Sequence, residues 1–207
     1  MGETDPGLVH PIPAIRMHNP GVCGAEHAQL AGLSEARLLP RRAGEDARVR
    51  ILLKLELDCP TELLADALQR PEAFRAVAGP LAEVRSLEPG GFPERWSPER
   101  PHRVEIRLLG VVPLGTQVID GQYRDLGDGM HELRDRGYPE SGLMAVMTTF
   151  EHTMVVSPLP GGRTLYRDQL KLGAGLLTPF VWFGMWMFWQ KRAFSMRQLA
   201  DRLRNGR

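Results

Sequence analysis

Three polar side chains of complementary chemistry, His152, Tyr166 and Asp168, fall close together in the last third of the sequence. They sit on two alternating stretches separated by a Gly-rich turn. Over residues 144–156, Val146, Thr148, Phe150, His152, Met154 and Val156 share one face, and Met147, Thr149, Glu151, Thr153 and Val155 share the other. Over residues 164–172, Tyr166, Asp168, Leu170 and Leu172 oppose Arg167, Gln169 and Lys171. The more apolar face of each stretch should point inward, which gathers all three polar groups on one interior patch. If Val156 pairs with Thr164 across the turn, His152 lies directly opposite Asp168; a two-residue slip puts it opposite Tyr166, with Asp168 diagonal. A carboxylate beside an imidazole orients its tautomer and favours its charged form, as a general acid or base requires. The same trio also reads as structure alone, a buried histidine satisfied by an aspartate and a tyrosine hydroxyl. No Ser or Cys nucleophile motif accompanies it, so covalent catalysis is unsupported.

The elements that must hold this patch begin at Arg48. Val49, Ile51, Leu53, Leu55 and Leu57 alternate with mostly polar neighbours, the period of a strand with one buried face. Pro60-Thr61-Glu62 and Pro71 then open two short helices, residues 63–68 and 72–77, closed by Gly79-Pro80. Further strand signals cover residues 81–87, 103–109 (with Ile106 and Leu108 on the apolar face), 116–126, 130–136, 144–156 and 164–172. Connections this short make neighbouring strands antiparallel. Within Leu133-Arg134-Asp135-Arg136, a mixed-charge run that reads as solvated, Asp135 shares parity with Leu133 and so can reach the interior.

Thr178-Pro179 is an N-cap signal, and no later proline interrupts a helix over residues 179–203. Trp182, Trp189, Met196 and Leu203 recur every seven residues, with Trp186, Ala193 and Ala200 between them, forming one stripe for core or cavity wall. Phe180, Phe183, Met187 and Phe188 occupy other faces, so the first turns are apolar all round; enclosure by sheet, arm and ligand would explain this. Residues 172–189 carry no charge and approach membrane length, but Gly173, Gly175, Pro179 and Gly184 interrupt them and their start completes a strand, which argues against a span. Three Trp ahead of six basic residues leave a peripheral membrane contact as an open reading.

Twenty-six Lys and Arg against 25 Asp and Glu leave a formal charge of +1, so no global excess recruits nucleic acid and no such partner is expected. At 207 residues, 43% of them hydrophobic, the chain is long and apolar enough to bury a core. Residues 1–46 hold six Gly and five Pro without sustained periodicity and read as an irregular arm, with a short helix from Ser34; residues 47–207 form the domain. In that arm His10, His18, Cys23 and His27 are separated by seven, four and three residues, a spacing that matches no common zinc framework. No metal or cofactor is expected. Two cysteines without C-x-x-C spacing, and a start lacking a basic and apolar leader, suit the cytoplasm.

The order of strand, two short helices, six strands and one long helix resembles the START-related and birch-pollen-allergen-like (SRPBCC) superfamily, which includes polyketide cyclase-like proteins. Phe150-Glu151-His152, Gly161-Gly162 and Tyr166-Arg167-Asp168 match an aromatic-x-His strand, Gly-rich turn and Tyr-x-Asp strand found in many bacterial members. The resemblance implies an α+β helix-grip fold: a curved antiparallel sheet of about seven strands wraps the long C-terminal helix around an apolar cavity. In this reading Ile106, Leu108, Phe150, Met154, Leu170, Trp182, Trp186 and Trp189 contact a hydrophobic, lipid-like or polyketide-like molecule. His152, Tyr166 and Asp168 orient its polar end and are the candidate catalytic residues. The alternatives are a non-covalent acid/base cyclase or dehydratase, and a peripheral lipid-transfer module. Oligomeric state is not legible in the sequence.

Overall fold

The computed structural model describes residues 48–206. The arm over residues 1–46, its His10, His18, Cys23 and His27, and the short helix expected from Ser34 lie outside the described residues. The alternating stretch forms β1 (Val49–Leu57), with Ile51, Leu53, Leu55 and Leu57 buried and Arg50, Lys54 and Glu56 exposed. Helices α1 (Thr61–Leu68) and α2 (Pro71–Ala78) follow. Pro71 starts α2 at a position whose N–H would find no helical partner, so its ring removes nothing there.

The remaining strands are β2 (Ala82–Ser86), β3 (His102–Leu108), β4 (Val112–Ile119), β5 (Gly121–Gly127), β6 (Met130–Asp135), β7 (Tyr138–Pro139), β8 (Thr149–Leu159) and β9 (Arg163–Gly173). They pair antiparallel in two sheets, ordered β1-β9-β8-β6-β5 and β2-β3-β4-β7. The described residues thus hold nine strands where seven are expected: β7 is an added two-residue strand on the edge of β4, and a second is gained by a division. The single strand expected over residues 116–126 is divided at Asp120, where the chain passes from one sheet to the other. There the Asp120 N–H donates to Asp135 Oδ1 (2.9 Å), and Gly121 packs so closely under Trp96 that an added Cβ would come within 3.1 Å of its Cβ. The stretch over residues 144–156 begins as a 3-10 turn (Gly142–Val146), and its strand starts only at Thr149.

The β8–β9 hairpin is tighter than expected. Ladder pairing continues through Pro158 and Leu159, and Leu159 faces Arg163 across a three-residue turn, Pro160-Gly161-Gly162. Both glycines have positive φ, +80° and +71°, where a side chain would be strained. The register moves accordingly: His152 lies opposite Leu170 and Met154 opposite Asp168, so neither pairing of His152 expected from the sequence occurs. A shift of two leaves every side chain on its predicted face.

Helix α3 (Thr178–Arg204) is 27 residues long. Thr178 is its first residue rather than its cap. The Thr178 hydroxyl donates to the Gly175 carbonyl (2.7 Å) and accepts the Ala174 N–H (2.9 Å), closing the 3-10 turn Gly175–Leu177. The helix lies against β1 and α2, with Trp189, Arg192, Ala193, Met196, Leu199 and Ala200 buried. The uncharged run over residues 172–189 is divided among the end of β9, this turn and the start of α3, and no helix among the described residues is long and apolar enough to cross a membrane. Enclosure of the first turns is not complete: Phe180, Phe183 and Met187 are exposed.

Candidate functional site

The polar patch is organised around Asp168, whose side chain is fully buried. Its Oδ1 accepts from His152 Nε2 (2.8 Å) and Trp189 Nε1 (3.2 Å), and its Oδ2 accepts from the Tyr166 hydroxyl (2.5 Å) and Arg192 Nε (2.7 Å). Arg192 Nη2 also donates to the Tyr166 hydroxyl (3.0 Å) and reaches Met154 Sδ (3.0 Å). The sheet delivers His152, Tyr166 and Asp168 from adjacent strands, and α3 delivers Trp189 and Arg192 one helical turn apart. Burial alone would raise the Asp168 carboxyl, but the charges of His152 and Arg192, and the hydrogen bonds from His152 and Tyr166, hold it well below the usual carboxylate range. Burial pushes the Tyr166 phenol well above its ordinary value, with Arg192 opposing. Asp168 is therefore an ionised acceptor, and His152 Nε2 carries the proton shared with it.

This hub stands behind the wall of a cavity of about 330 Å³ between the sheets and α3. Ile106, Leu114, Met144, Phe150, Met185 and Phe188 give it a mostly apolar lining, broken by Gln117, Asp135, His152 and Arg192. Asp135 is the ladder partner of His152 on β6. Its Oδ1 accepts the backbone N–H groups of Asp120 (2.9 Å) and Gly137 (2.8 Å). Gly137 comes so near β4 that an added Cβ would collide with the Val118 carbonyl. Burial raises the Asp135 carboxyl, with the two backbone N–H groups and His152 opposing. A second, smaller cavity of about 50 Å³ lies against the same polar groups: Asp135, His152 and Arg192 line both.

The residues singled out in the sequence take three kinds of place. Ile106, Leu108, Phe150, His152 and Trp189 line the larger cavity, and Met154 lines the smaller. Tyr166, Asp168 and Leu170 are buried behind the wall. Trp182 and Trp186 are off it: they stack on each other (6.4 Å between ring centroids) and pack against the β1–β9 core, while Val181, Gly184, Met185 and Phe188 turn toward the cavity. The reason is the rotation of α3. The buried edge of the seven-residue stripe faces the sheet, and the cavity takes the neighbouring edge. Sequence reasoning missed Gln117 and Arg192. Arg192 is one of the six basic residues that follow the three Trp and reads from sequence as part of a solvated helix end, yet it is 4% exposed; its place three residues after Trp189, on the apolar stripe, is the signal for it.

No family model matches the chain, and no curated protein sequence matches it. Solved structures do. A START superfamily protein from Mycobacterium smegmatis aligns with a TM-score of 0.50 at 14% identity, covering 74% of this chain and 98% of that one. The Zhui aromatase/cyclase from Streptomyces sp. R1128 aligns at 0.52 and 12% identity, covering 75% and 94%. Truncated norcoclaurine synthase from Thalictrum flavum aligns at 0.51 and 10% identity, covering 74% and 94%. At these identities the likeness is one of fold.

Proposed function

We propose that this chain, which has the helix-grip fold of the START-related and birch-pollen-allergen-like proteins, binds a hydrophobic small molecule between its sheets and α3. The observation that carries the reading is the composition of the cavity wall, apolar over most of its extent and polar at one patch built from β4, β6, β8 and α3. Burial of apolar ligand surface supplies affinity at roughly 25 cal/mol per Å², and a few convergent polar groups fix orientation. An environment-sensitive lipophilic dye should bind saturably, be displaced by polycyclic aromatics, and bind at least about tenfold more weakly to Leu114→Trp, whose indole fills the space the dye needs. Non-saturable binding, or a Leu114→Trp variant of native circular dichroism with undiminished affinity, would discard the reading. Native mass spectrometry of freshly purified protein tests for a co-purified lipophile.

A second reading, non-covalent acid/base chemistry of the cyclase or dehydratase type on a polyketide-like carbonyl compound, is favoured by one further observation. His152 and Asp135 are ladder partners in the cavity wall, and His152 Nε2 is held by Asp168, which fixes the ring with Nδ1 as the unengaged nitrogen. In this reading His152 exchanges a proton with the ligand, Asp135 is the opposing acid, and Asp168, Tyr166 and Trp189 are positioning residues. Neither step needs a cofactor. His152→Gln should then abolish turnover while leaving dye affinity within about twofold; equal loss of both properties would assign His152 to binding alone.

A further inference from the structure

Three cavity-facing groups retain hydrogen-bonding capacity that the protein does not use. Gln117 is 4% exposed, lines the cavity, and its side-chain amide makes no hydrogen bond among the described residues. Buried amides are normally satisfied, and one aimed into a ligand cavity is satisfied by what enters it. Asp135 spends Oδ1 on two backbone N–H groups, and its Oδ2 accepts nothing from the described residues. His152 spends Nε2 on Asp168, and its Nδ1 is likewise without a partner among them.

The charges of the ionisable set cancel. Arg192 is matched by Asp168 at 2.7 Å, and what remains is one acid, Asp135, beside one base, His152. A carboxylate or phosphate entering this cavity would meet no surplus cation and would leave water without compensation. The free capacity suits a neutral group with both an acceptor and a donor. Of the Asp135 Oδ2 and His152 Nδ1 positions, the one that holds a proton can donate to a carbonyl and the other can accept from a hydroxyl; the Gln117 amide can do either.

We infer that the polar end of the ligand is uncharged and carries a hydroxyl beside a carbonyl, as in a hydroxy ketone or its enol or phenol form, and that the cavity rejects the carboxylate of the same skeleton. This rests on the cavity being the ligand site. Two naphthalene probes of nearly equal size separate the two claims: 1-hydroxy-2-acetonaphthone and 1-hydroxy-2-naphthoate, titrated into the full chain by calorimetry at neutral pH. The hydroxy ketone should bind at least about tenfold more tightly than the naphthoate, the worth of one net hydrogen bond or more. Gln117→Leu, confirmed as folded by its unfolding midpoint, should erase about a factor of five to ten for the hydroxy ketone and leave the naphthoate within about twofold. Equal binding of the two probes, or tighter binding of the naphthoate, overturns the selection against charge while leaving the cavity reading intact. Saturable binding of neither probe overturns both.

Discussion

A buried carboxylate with four donors is a liability as soon as one of them is lost or its own charge is removed. Asp168→Asn leaves Arg192 buried without its counter-charge, and should lower unfolding stability by about 3–5 kcal/mol in urea titration. Adding Arg192→Met to that variant should recover part of the loss, because the pair is then replaced by apolar volume. The pH dependence has a definite sign. The Asp168 carboxyl lies below its unfolded value, so its stabilisation is complete above about pH 4 and is lost as pH falls through the folded value. Wild-type stability should therefore drop in acid more steeply than that of Asp168→Asn. Asp135 is pushed the other way, and a raised carboxyl subtracts stability as pH rises from the unfolded value through the folded one. Asp135→Asn, which keeps an oxygen for the Asp120 and Gly137 N–H groups, should consequently be more stable than wild type at neutral pH and no more stable in acid, read as unfolding midpoints at both values.

Among the elements, the turns decide more than the strands. Gly161→Ala meets open space but must hold positive φ, and should cost about 1 kcal/mol. Gly137→Ala collides with the Val118 carbonyl and displaces the N–H that pins Asp135, so its loss should be larger, about 2–3 kcal/mol. Both are measurable by chemical denaturation. The same distinction explains what the sequence disclosed. Period-two alternation made β1, and the inward faces of β8 and β9, legible, and parity alone brought His152, Tyr166 and Asp168 together. Register was not legible, because it depends on how many residues the turn consumes, and Ser157-Pro158-Leu159 reads as loop although it pairs. The passage between sheets at Asp120 was hidden because alternation runs straight through it. Arg192 was hidden because a cation on a helix reads as solvated until a buried partner is known, and Gln117 because a lone amide within a strand carries no pattern of its own.

At the scale of the whole domain, Cys59 reports on opening. It is 1% exposed, and burial raises its thiol, so a disulfide reagent should reach it only as fast as the fold opens globally. Its labelling rate in native buffer should not exceed the unfolding rate extrapolated from denaturant; faster labelling would place the end of β1 and the start of α1 in a locally opening unit. The two cavities that share Asp135, His152 and Arg192 have a calorimetric consequence. A space of about 50 Å³ bordered by three polar side chains has the room and the partners that a buried water requires. Those side chains can thus remain hydrated from the rear while a ligand strips water from their front. The heat-capacity change of association should accordingly be negative and scale with the hydrocarbon area of the ligand, lengthening by a constant step with each added methylene and changing little with the identity of the polar end.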